Sequence, residues 1–186
     1  MLGGKTRKAV LCQKAENVFC NSPCGIMDQY VSSVASLGSA ILIDCRSLEY
    51  ESVPMGKVAE DDDNDSPKPV IAICDSNVKH SIGGGEYPIH VKQCAEATES
   101  LRAICGEKIA SLRDATISQV ETAWRKSQMD SEEVVTLMDE LTYRRAKHVV
   151  TENQRTQKAK AAFVRSDWDE FGKLMNESHE SMKSDY

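Results

Sequence analysis

The chain has 186 residues, 40% of them hydrophobic, and a formal net charge of −6 at pH 7. This length suits one domain or a piece of a larger protein, and the negative charge argues against nucleic-acid binding, which needs a basic face to neutralise phosphates. No apolar run approaches the length of a membrane span, and the basic residues near the N-terminus precede no long apolar stretch. We therefore expect a cytoplasmic protein that does not bind a membrane.

The seven cysteines are predicted to be reduced thiols. They are Cys12, Cys20, Cys24, Cys45, Cys74, Cys94 and Cys105. Their number is odd, no Cys-x-x-Cys pair occurs, and several lie in apolar segments, where cysteine behaves as a small hydrophobic residue. A zinc site built on Cys20 and Cys24 with a histidine is the alternative, but no second ligand pair follows at a suitable spacing. We therefore assign no metal ligand.

The N-terminal segment is predicted to be an amphipathic helix over residues 6–20. Its apolar side chains recur on one face at helical spacing, namely Val10, Leu11, Ala15, Val18 and Phe19. We expect that face to pack against a core.

A turn at Pro23-Cys24-Gly25 leads into a second predicted helix. The apolar residues of this helix that would face the core are Met27, Val31, Val34 and Ala35. Asp28 lies in its first turn, where the positive end of the helix dipole and the free N–H groups favour a carboxylate or a phosphate. On spacing alone, an ordinary aspartate at a helix start is the simpler interpretation.

Two short strands and an acidic linker follow. Residues 39–45 form an apolar strand and residues 48–53 a weaker one, joined through Arg46-Ser47 either as a hairpin or as two neighbouring strands. Residues 60–67 have neither apolar anchors nor periodicity, which predicts a solvated loop at the border between two halves of the chain. Its alternating aspartates do not make a calcium loop, because the glycine and the bidentate glutamate that such a loop requires are missing.

The next segment is predicted to hold a buried strand, a glycine loop and a helix. Residues 70–74 are a continuous apolar run that polar side chains end at Asp75. Gly83-Gly84-Gly85 lacks the spacing of phosphate-binding motifs, so a flexible loop is the favoured interpretation. Pro88 suits a helix start, and an apolar stripe continues from there to about Cys105.

The remaining third is predicted to be helical. Helix-start patterns occur at Thr116-x-x-Gln119 and at Ser166-x-x-Asp169. A basic cluster is predicted to form a solvated helix face rather than a phosphate or RNA site. Its members are Arg144, Arg145, Lys147 and His148, with Asp139, Glu140 and Glu152 as the expected ion-pair partners.

Several motifs, taken together and in order, resemble the galactokinases of the GHMP kinase superfamily. They are LCQKAE at residues 11–16, PCGIMDQY at 23–30, LIDCRSLE at 42–49, DSNVKHS at 75–81, EYP at 86–88, YRRAKHVV at 143–150 and ESH at 177–179. The resemblance covers nearly the whole chain except its first residues and the acidic segment. It implies an α+β, two-part GHMP kinase fold that is incomplete at both ends. Residues 1–59 would be the end of a ribosomal-protein-S5-like N-terminal domain, 60–67 a linker, and 68–186 the start of the GHMP C-terminal domain.

The activity implied by the resemblance is ATP-dependent phosphorylation of galactose at its anomeric hydroxyl, with magnesium. Asp28 matches the catalytic aspartate of the family, and Gly25 matches a glycine whose backbone approaches the sugar. Tyr87 matches a tyrosine that contacts the sugar. Lys79 stands near the reacting phosphate, where many relatives have arginine, and it lacks the planar fork that a bidentate contact needs. The simpler alternatives are that Gly25 serves only the turn, that Tyr87 only packs, and that Lys79 is only solvated.

Motifs expected of the family are absent from the sequence. It contains neither the sugar-binding G-R-V-N-x-I-G-E-H, nor the ATP loop G-L-S-S-S-A, nor the glycine-rich G-G-G-F-G-G. The sequence thus resembles the middle of a galactokinase, and we expect the chain alone to be inactive. A non-catalytic homologue that senses sugar or binds a protein partner is the alternative function, and N-acetylgalactosamine kinase is a less favoured enzyme. The oligomeric state is not predicted.

Overall fold

The computed structural model describes residues 3–55, 72–78, 87–106, 108–129 and 138–186. Helices predominate, with a single antiparallel hairpin in the described part. The α-helices are α1 (Gly4–Lys14), α2 (Met27–Val34), α3 (Tyr87–Cys105), α4 (Ile117–Ser127), α5 (Glu140–Val164) and α6 (Trp168–Asp185). A π-helical turn (Ala15–Phe19) continues α1, a short 3₁₀ turn (Leu112–Asp114) precedes α4, and the strands are β1 (Ser39–Asp44) and β2 (Glu49–Pro54). No helix of the described part is long and apolar enough to cross a membrane.

The chain divides into two compact units, and the long helices α5 and α6 contribute to both. The first unit is Met1–Gly85 with Lys160–Phe171, and the second is Glu86–Ala159 with Gly172–Tyr186. The linker predicted at residues 60–67 lies outside the described residues. The domain boundaries implied by the resemblance therefore stay a prediction.

The core of the first unit lies between α1, α2 and the hairpin. Its buried apolar residues are Ala9, Ile26, Tyr30 and Val34, with Val10, Ile41, Ile43 and Leu48 packed against them. The fully buried ring of Tyr30 is held by its hydroxyl group, which donates to the Leu48 carbonyl oxygen at 2.6 Å and shares a hydrogen bond of 3.0 Å with the Thr6 hydroxyl. An amphipathic tyrosine therefore occupies the buried position of α2.

The predicted core faces of the first two helices are confirmed only in part: Val34 of α2 is buried and Val10 of α1 packs against the core. Met27 of α2 is 66% exposed and Val31 is 39% exposed, because α2 buries the face of Ile26, Tyr30 and Val34 instead. In α1 and the π-helical turn, Phe19 is 91% exposed, and the buried residues of α1 are Thr6 and Ala9. The small side chains of Thr6 and Ala9 leave room for the Tyr30 ring. The prediction missed this packing because it searched for periodic apolar residues and did not count threonine or tyrosine as core residues.

The two predicted strands are confirmed, and of the two arrangements left open they form the hairpin. Strands β1 and β2 pair antiparallel, from Ser39 opposite Pro54 to Asp44 opposite Glu49. The Asp44 carboxylate accepts hydrogen bonds from the backbone N–H groups of Arg46 (2.8 Å) and Ser47 (3.1 Å), which fixes the connecting turn. On the opposite strand, Glu51 forms a salt bridge of 2.5 Å with Lys160 of α5.

The buried strand predicted at residues 70–74 is wrong where the structure describes it. Residues 72–78 have no regular secondary structure and are exposed, with Ile73 at 95%. A strand needs a partner backbone for its hydrogen bonds and a covering layer for its apolar side chains. Neither reaches Ile73 within the described residues, so apolar composition alone does not bury this segment.

The core of the second unit joins α3, the 3₁₀ turn, α4 and α5. Its buried residues include Leu101, Leu112, Val120, Ala146 and Val150. The helix start predicted at Thr116 is confirmed as a capping box, in which the Thr116 side chain accepts from the Gln119 N–H and the Gln119 side chain accepts from the Thr116 N–H. The helix predicted from Pro88 to about Cys105 is also confirmed, as α3.

The start of α6 differs from its prediction by one residue. Ser166 has a positive φ of 57° and does not act as the cap. Instead, the Asp167 carboxylate accepts the Glu170 N–H at 3.1 Å, the geometry of an N-cap residue. The Ser166 pattern thus indicates the correct place for the helix but not its capping side chain.

Candidate functional site

The first candidate residue is Asp28, an exposed carboxylate in the first turn of α2. The N-cap residue of this helix is Ile26, whose side chain cannot accept a hydrogen bond. The first-turn N–H groups therefore have no side-chain cap, and the positive end of the helix dipole stays available to a negative group. Asp28 is thus presented on the surface of the first unit, beside a helix end that favours anions.

The loop before Asp28 is held by side-chain hydrogen bonds to the backbone of Cys24. The Cys24 N–H donates to Asn17 Oδ1 at 2.8 Å, and the Cys24 carbonyl oxygen accepts from Gln13 Nε2 at 3.2 Å and Asn17 Nδ2 at 3.4 Å. Asn17 lies in the π-helical turn, a local distortion that is common at functional sites. Sequence periodicity did not predict this turn, because it predicted one continuous helix over residues 6–20.

A second set of contacts links this loop to α2. Gln29 Nε2 donates to Glu16 Oε1 at 2.7 Å and approaches the Cys24 sulfur at 3.4 Å, while the Cys24 thiol lies 3.5 Å from Glu16 Oε2. The Gln29 side chain is 9% exposed. Partial burial is the main reason that the pKa of the Cys24 thiol is raised; the Gln29 hydrogen bond opposes this rise, and the Glu16 and Asp28 charges add to it. Cys24 and the helix that carries Asp28 are therefore held by the same polar network.

Gly25 is exposed between Cys24 and the start of α2. Among the described residues, positive φ angles occur at the glycines Gly38 and Gly106 but not at Gly25. The backbone conformation at Gly25 is therefore open to other residues, so the turn alone does not require glycine there.

Tyr87 is the first residue of α3, in the second unit, and its side chain is 44% exposed. A side chain with this exposure does not lie in a core, so packing alone does not account for Tyr87. Lys79 and the glycine loop at residues 83–85 lie outside the described residues. The prediction that Asp28 and Tyr87 serve one site stays a prediction.

The basic cluster of α5 is not the solvated face that was predicted. Arg145 is 8% exposed and His148 is 4% exposed. The exposed members pair elsewhere than expected, because Lys147 lies 3.0 Å and Arg144 3.9 Å from the Asp185 carboxylate. The expected partner Asp139 instead accepts the Thr142 N–H at 2.7 Å at the start of α5, and Thr142 is the main reason that the pKa of Asp139 is lowered.

Contacts distant in sequence explain the failure of that prediction. Arg145 donates from Nε to Gln93 Oε1 and from Nη1 to the Asp185 carbonyl oxygen, both at 2.8 Å, across 52 and 40 residues of sequence. His148 Nδ1 hydrogen-bonds the Ser181 hydroxyl at 2.9 Å, and its ring stacks on Tyr186. The spacing of charges along α5 carries no information about α3 and the end of α6.

A metal or nucleotide site is not assigned to the described residues. No group of three or more His, Cys, Asp or Glu side chains that could hold a metal ion comes together in the described ranges. Magnesium in phosphoryl-transfer sites is held by one or two carboxylates together with the substrate phosphates, so one exposed carboxylate such as Asp28 is compatible with it. For ATP, the described residues contain no glycine-rich loop at a helix start.

Comparison with known proteins identifies relatives of this chain. No family model matches the chain. Galactokinase of Bos taurus is 42% identical over 179 residues, which cover 96% of this chain. The chain is homologous to the galactokinases. The human galactokinase is 40% identical over the same number of residues.

A solved galactokinase shares the fold of the chain. The crystal structure of Lactococcus lactis galactokinase complexed with galactose matches 100% of this chain with a TM-score of 0.70 and 26% sequence identity. The chain spans 39% of the length of the bovine and human relatives and 42% of the Lactococcus protein. The resemblance to galactokinases is thus confirmed both in sequence and in fold.

Proposed function

We propose that this chain carries the catalytic carboxylate of a galactokinase, which transfers the γ-phosphoryl group of ATP to the anomeric hydroxyl of galactose. The observation that carries the proposal is the placement of Asp28. It is an exposed carboxylate at an uncapped helix start, next to a loop clamped through Cys24, in a chain 42% identical to a galactokinase. The galactose in the Lactococcus structure supports the same sugar as substrate. The products are galactose 1-phosphate and ADP.

Asp28 acts as the general base in this proposal. Its carboxylate accepts the proton of the anomeric hydroxyl while the sugar oxygen attacks the γ-phosphorus and ADP leaves. A positioned base contributes about 10²- to 10⁴-fold to the rate. The contacts of Gln29 and Cys24 with Glu16 limit the movement of the Asp28 segment, and phosphoryl transfer depends largely on such alignment.

The remaining site residues are assigned by their match to the family. Gly25 allows the sugar to approach the backbone, which its exposure supports. Tyr87 offers its hydroxyl group to the sugar, which its partial exposure at the start of α3 supports. Lys79 supplies positive charge near the transferred phosphate and the sugar.

ATP and magnesium belong to the proposal through the family rather than through assigned residues. When bound, magnesium neutralises charge that develops on the phosphates. We also propose the two-domain division with a linker at residues 60–67. A reducing compartment such as the cytoplasm fits the seven free cysteines of the chain.

The test is Asp28→Asn in the full-length gene product, assayed by coupled ADP release with galactose varied. Removing the base while keeping the side-chain size should lower kcat by at least about a hundredfold, with KM values for galactose and ATP within a few-fold of wild type. Asp169→Asn is a matched control, since Asp169 is the exposed second residue of α6 as Asp28 is of α2. The control should keep wild-type kcat.

Two outcomes would contradict the proposal. A folded wild-type protein that releases no ADP in a galactose-dependent manner is not a galactokinase. If instead Asp28→Asn kept kcat within a few-fold while KM for galactose rose, Asp28 would bind the sugar without acting as its base.

A further inference from the structure

We propose that the buried Arg145 of α5 is a positioning residue for Tyr87, acting through the N-terminal half of α3. The proposal rests on the proposed function only for the role of Tyr87 at the sugar. The contacts that carry it all lie within the second unit.

The first step is that Arg145 is a buried cation whose direct partners are neutral. Its side chain is 8% exposed, and it donates to the amide oxygen of Gln93 and to the backbone carbonyl of Asp185. The Asp185 carboxylate is paired with Lys147 and lies near Arg144. Burying a charge is costly, and an apolar residue of similar size commonly serves packing as well or better. A guanidinium at this position therefore indicates a requirement for directed hydrogen bonds.

The second step is that the Tyr186 ring contacts both Arg145 and His90, a second residue of α3. The Arg145 guanidinium carbon lies 5.0 Å from the centroid of the Tyr186 ring, a cation–π geometry. The same ring meets His90 edge-on with centroids 4.4 Å apart, and it stacks on His148 at 4.6 Å. Arg145 thus contacts Gln93 directly and is joined to His90 through one aromatic ring.

The third step is that these two contacts begin one helical turn after Tyr87. Tyr87, His90 and Gln93 follow one another at i, i+3 and i+6, so His90 neighbours Tyr87 on the helix surface and Gln93 neighbours His90. Burial raises the pKa of Tyr186, and the charges of Cys94 and Tyr87 add to the rise while Arg145 opposes it.

The fourth step is that the first turns of α3 lie outside the apolar core, whose contacts along this helix begin at the partly buried Cys94. The buried residues of the helix are Ala97, Thr98 and Leu101, all in its C-terminal half. In the N-terminal half, Ile89 is 54% exposed and Val91 is 51% exposed. The direction of the first turns, and hence the position of Tyr87, therefore depends on the polar contacts made through His90 and Gln93.

The first experiment measures hydrogen exchange along α3 in the 186-residue chain. Arg145→Gln and Gln93→Met remove the same hydrogen bond from its two ends. Arg144→Gln is the control, because it removes the same charge from the same helix at a more exposed position. Both test variants should lose protection over residues 90–96 and keep it over 98–105, while the control changes neither. Unchanged protection in both test variants, or equal loss along the whole of α3, would overturn the proposal. If Arg145→Gln fails to fold, Gln93→Met alone decides between these outcomes.

The second experiment is a double-mutant cycle in the full-length gene product. Arg145→Gln should raise KM for galactose by up to about two- to tenfold, the loss expected from removing the Tyr87 hydroxyl contact itself, with kcat and KM for ATP nearly unchanged. Arg145→Lys keeps the charge without the planar fork and should be intermediate. In a Tyr87→Phe background, Arg145→Gln should add little, because the contact it positions is already gone.

The two experiments separate the two proposals. If the galactose penalty of Arg145→Gln is as large in the Tyr87→Phe background as in wild type, Arg145 does not act through Tyr87. If Tyr87→Phe alone leaves galactose use unchanged while the exchange result holds, the sugar contact of Tyr87 is wrong and Arg145 positions only the start of α3.

Discussion

Gln29 donates a hydrogen bond of 2.7 Å to Glu16 and so joins the helix that carries Asp28 to the π-helical turn after α1. Gln29 is buried and Glu16 is half-buried, and the Cys24 thiol lies within 3.5 Å of the second Glu16 oxygen. One carboxylate thus holds both the loop and the helix on either side of Gly25. This relationship makes Glu16 the residue on which the geometry of the Asp28 segment depends most directly.

Glu16→Ala should therefore destabilise the first unit and loosen the loop. The substitution leaves the buried Gln29 amide without its charged partner, which costs about 1 to 3 kcal/mol of unfolding free energy. It also removes a charge that helps raise the pKa of Cys24, so this thiol should react faster with iodoacetamide at fixed pH. Urea denaturation and peptide mapping of alkylated cysteines measure the two effects. Glu49→Ala is the control, because Glu49 is an exposed carboxylate on β2. Equal effects in both variants would show that the contacts of Glu16 with Gln29 and Cys24 do not hold this segment.

Tyr30→Phe tests the polar link at the centre of the same unit. The change keeps the ring but leaves the Thr6 hydroxyl and the Leu48 carbonyl oxygen without their partner, so unfolding free energy should fall by about 1 to 3 kcal/mol. Adding Thr6→Val removes one of these polar groups and should restore part of the loss. Tyr50→Phe should change stability by less than about 0.5 kcal/mol, since that side chain is 43% exposed. A Tyr30→Phe protein as stable as wild type would mean that these hydrogen bonds contribute nothing net.

His148 should make the second unit sensitive to mild acid. Burial is the main reason that the pKa of its imidazole is lowered below the ordinary value. The charges of Arg155 and Arg145 lower it further, and the charges of Glu152 and Asp185 oppose the shift. Because the folded state binds the proton less well than the unfolded state, the stabilisation is complete above the unfolded pKa of about 6.5 and is lost as the pH falls below it. Because one proton is involved, the free energy of unfolding cannot change by more than about 1.4 kcal/mol per pH unit.

Denaturant titrations between pH 7.5 and 5 with His148→Gln measure this effect. The variant should lose most of the pH dependence in this window, whereas His179→Gln, at an exposed position of α6, should keep the wild-type slope. An unchanged slope in His148→Gln would assign the acid sensitivity to other groups.

The sequence predicts local structure better than it predicts packing. The capping box at Thr116 and Gln119 and the hairpin of β1 and β2 were predicted correctly, because each is determined by residues a few positions apart. The buried face of α2 was not, because a polar pair, Tyr30 and Thr6, separated by 24 residues, occupies it. Arg145 was placed on a solvated face for the same reason, since its partner Gln93 is distant in sequence.

The candidate site follows the same rule. Asp28 and Gly25 were found through a resemblance to a family, and charge or periodicity alone would have left Asp28 as an ordinary helix-start residue. The clamp formed by Asn17 and Glu16 was missed, because no local pattern distinguishes these polar side chains from solvated ones. Its only sequence signal lies in the LCQKAE motif, which contains Glu16 but does not say what it binds.

The sugar contact of Tyr87 gives the last prediction. Tyr87→Phe removes only the hydroxyl group. In the full-length gene product, kcat/KM for galactose should therefore fall roughly two- to tenfold, a loss of about 0.5 to 1.5 kcal/mol of transition-state stabilisation, with KM for ATP and Tm nearly unchanged. A tyrosine that only packs predicts the reverse, namely no kinetic change for Phe and a clear loss of stability for Tyr87→Ala. Because the side chain is 44% exposed, we expect Tyr87→Ala to lower Tm only slightly. Galactose should be varied at saturating ATP, and an unaltered kcat/KM in the Phe variant would remove Tyr87 from the site.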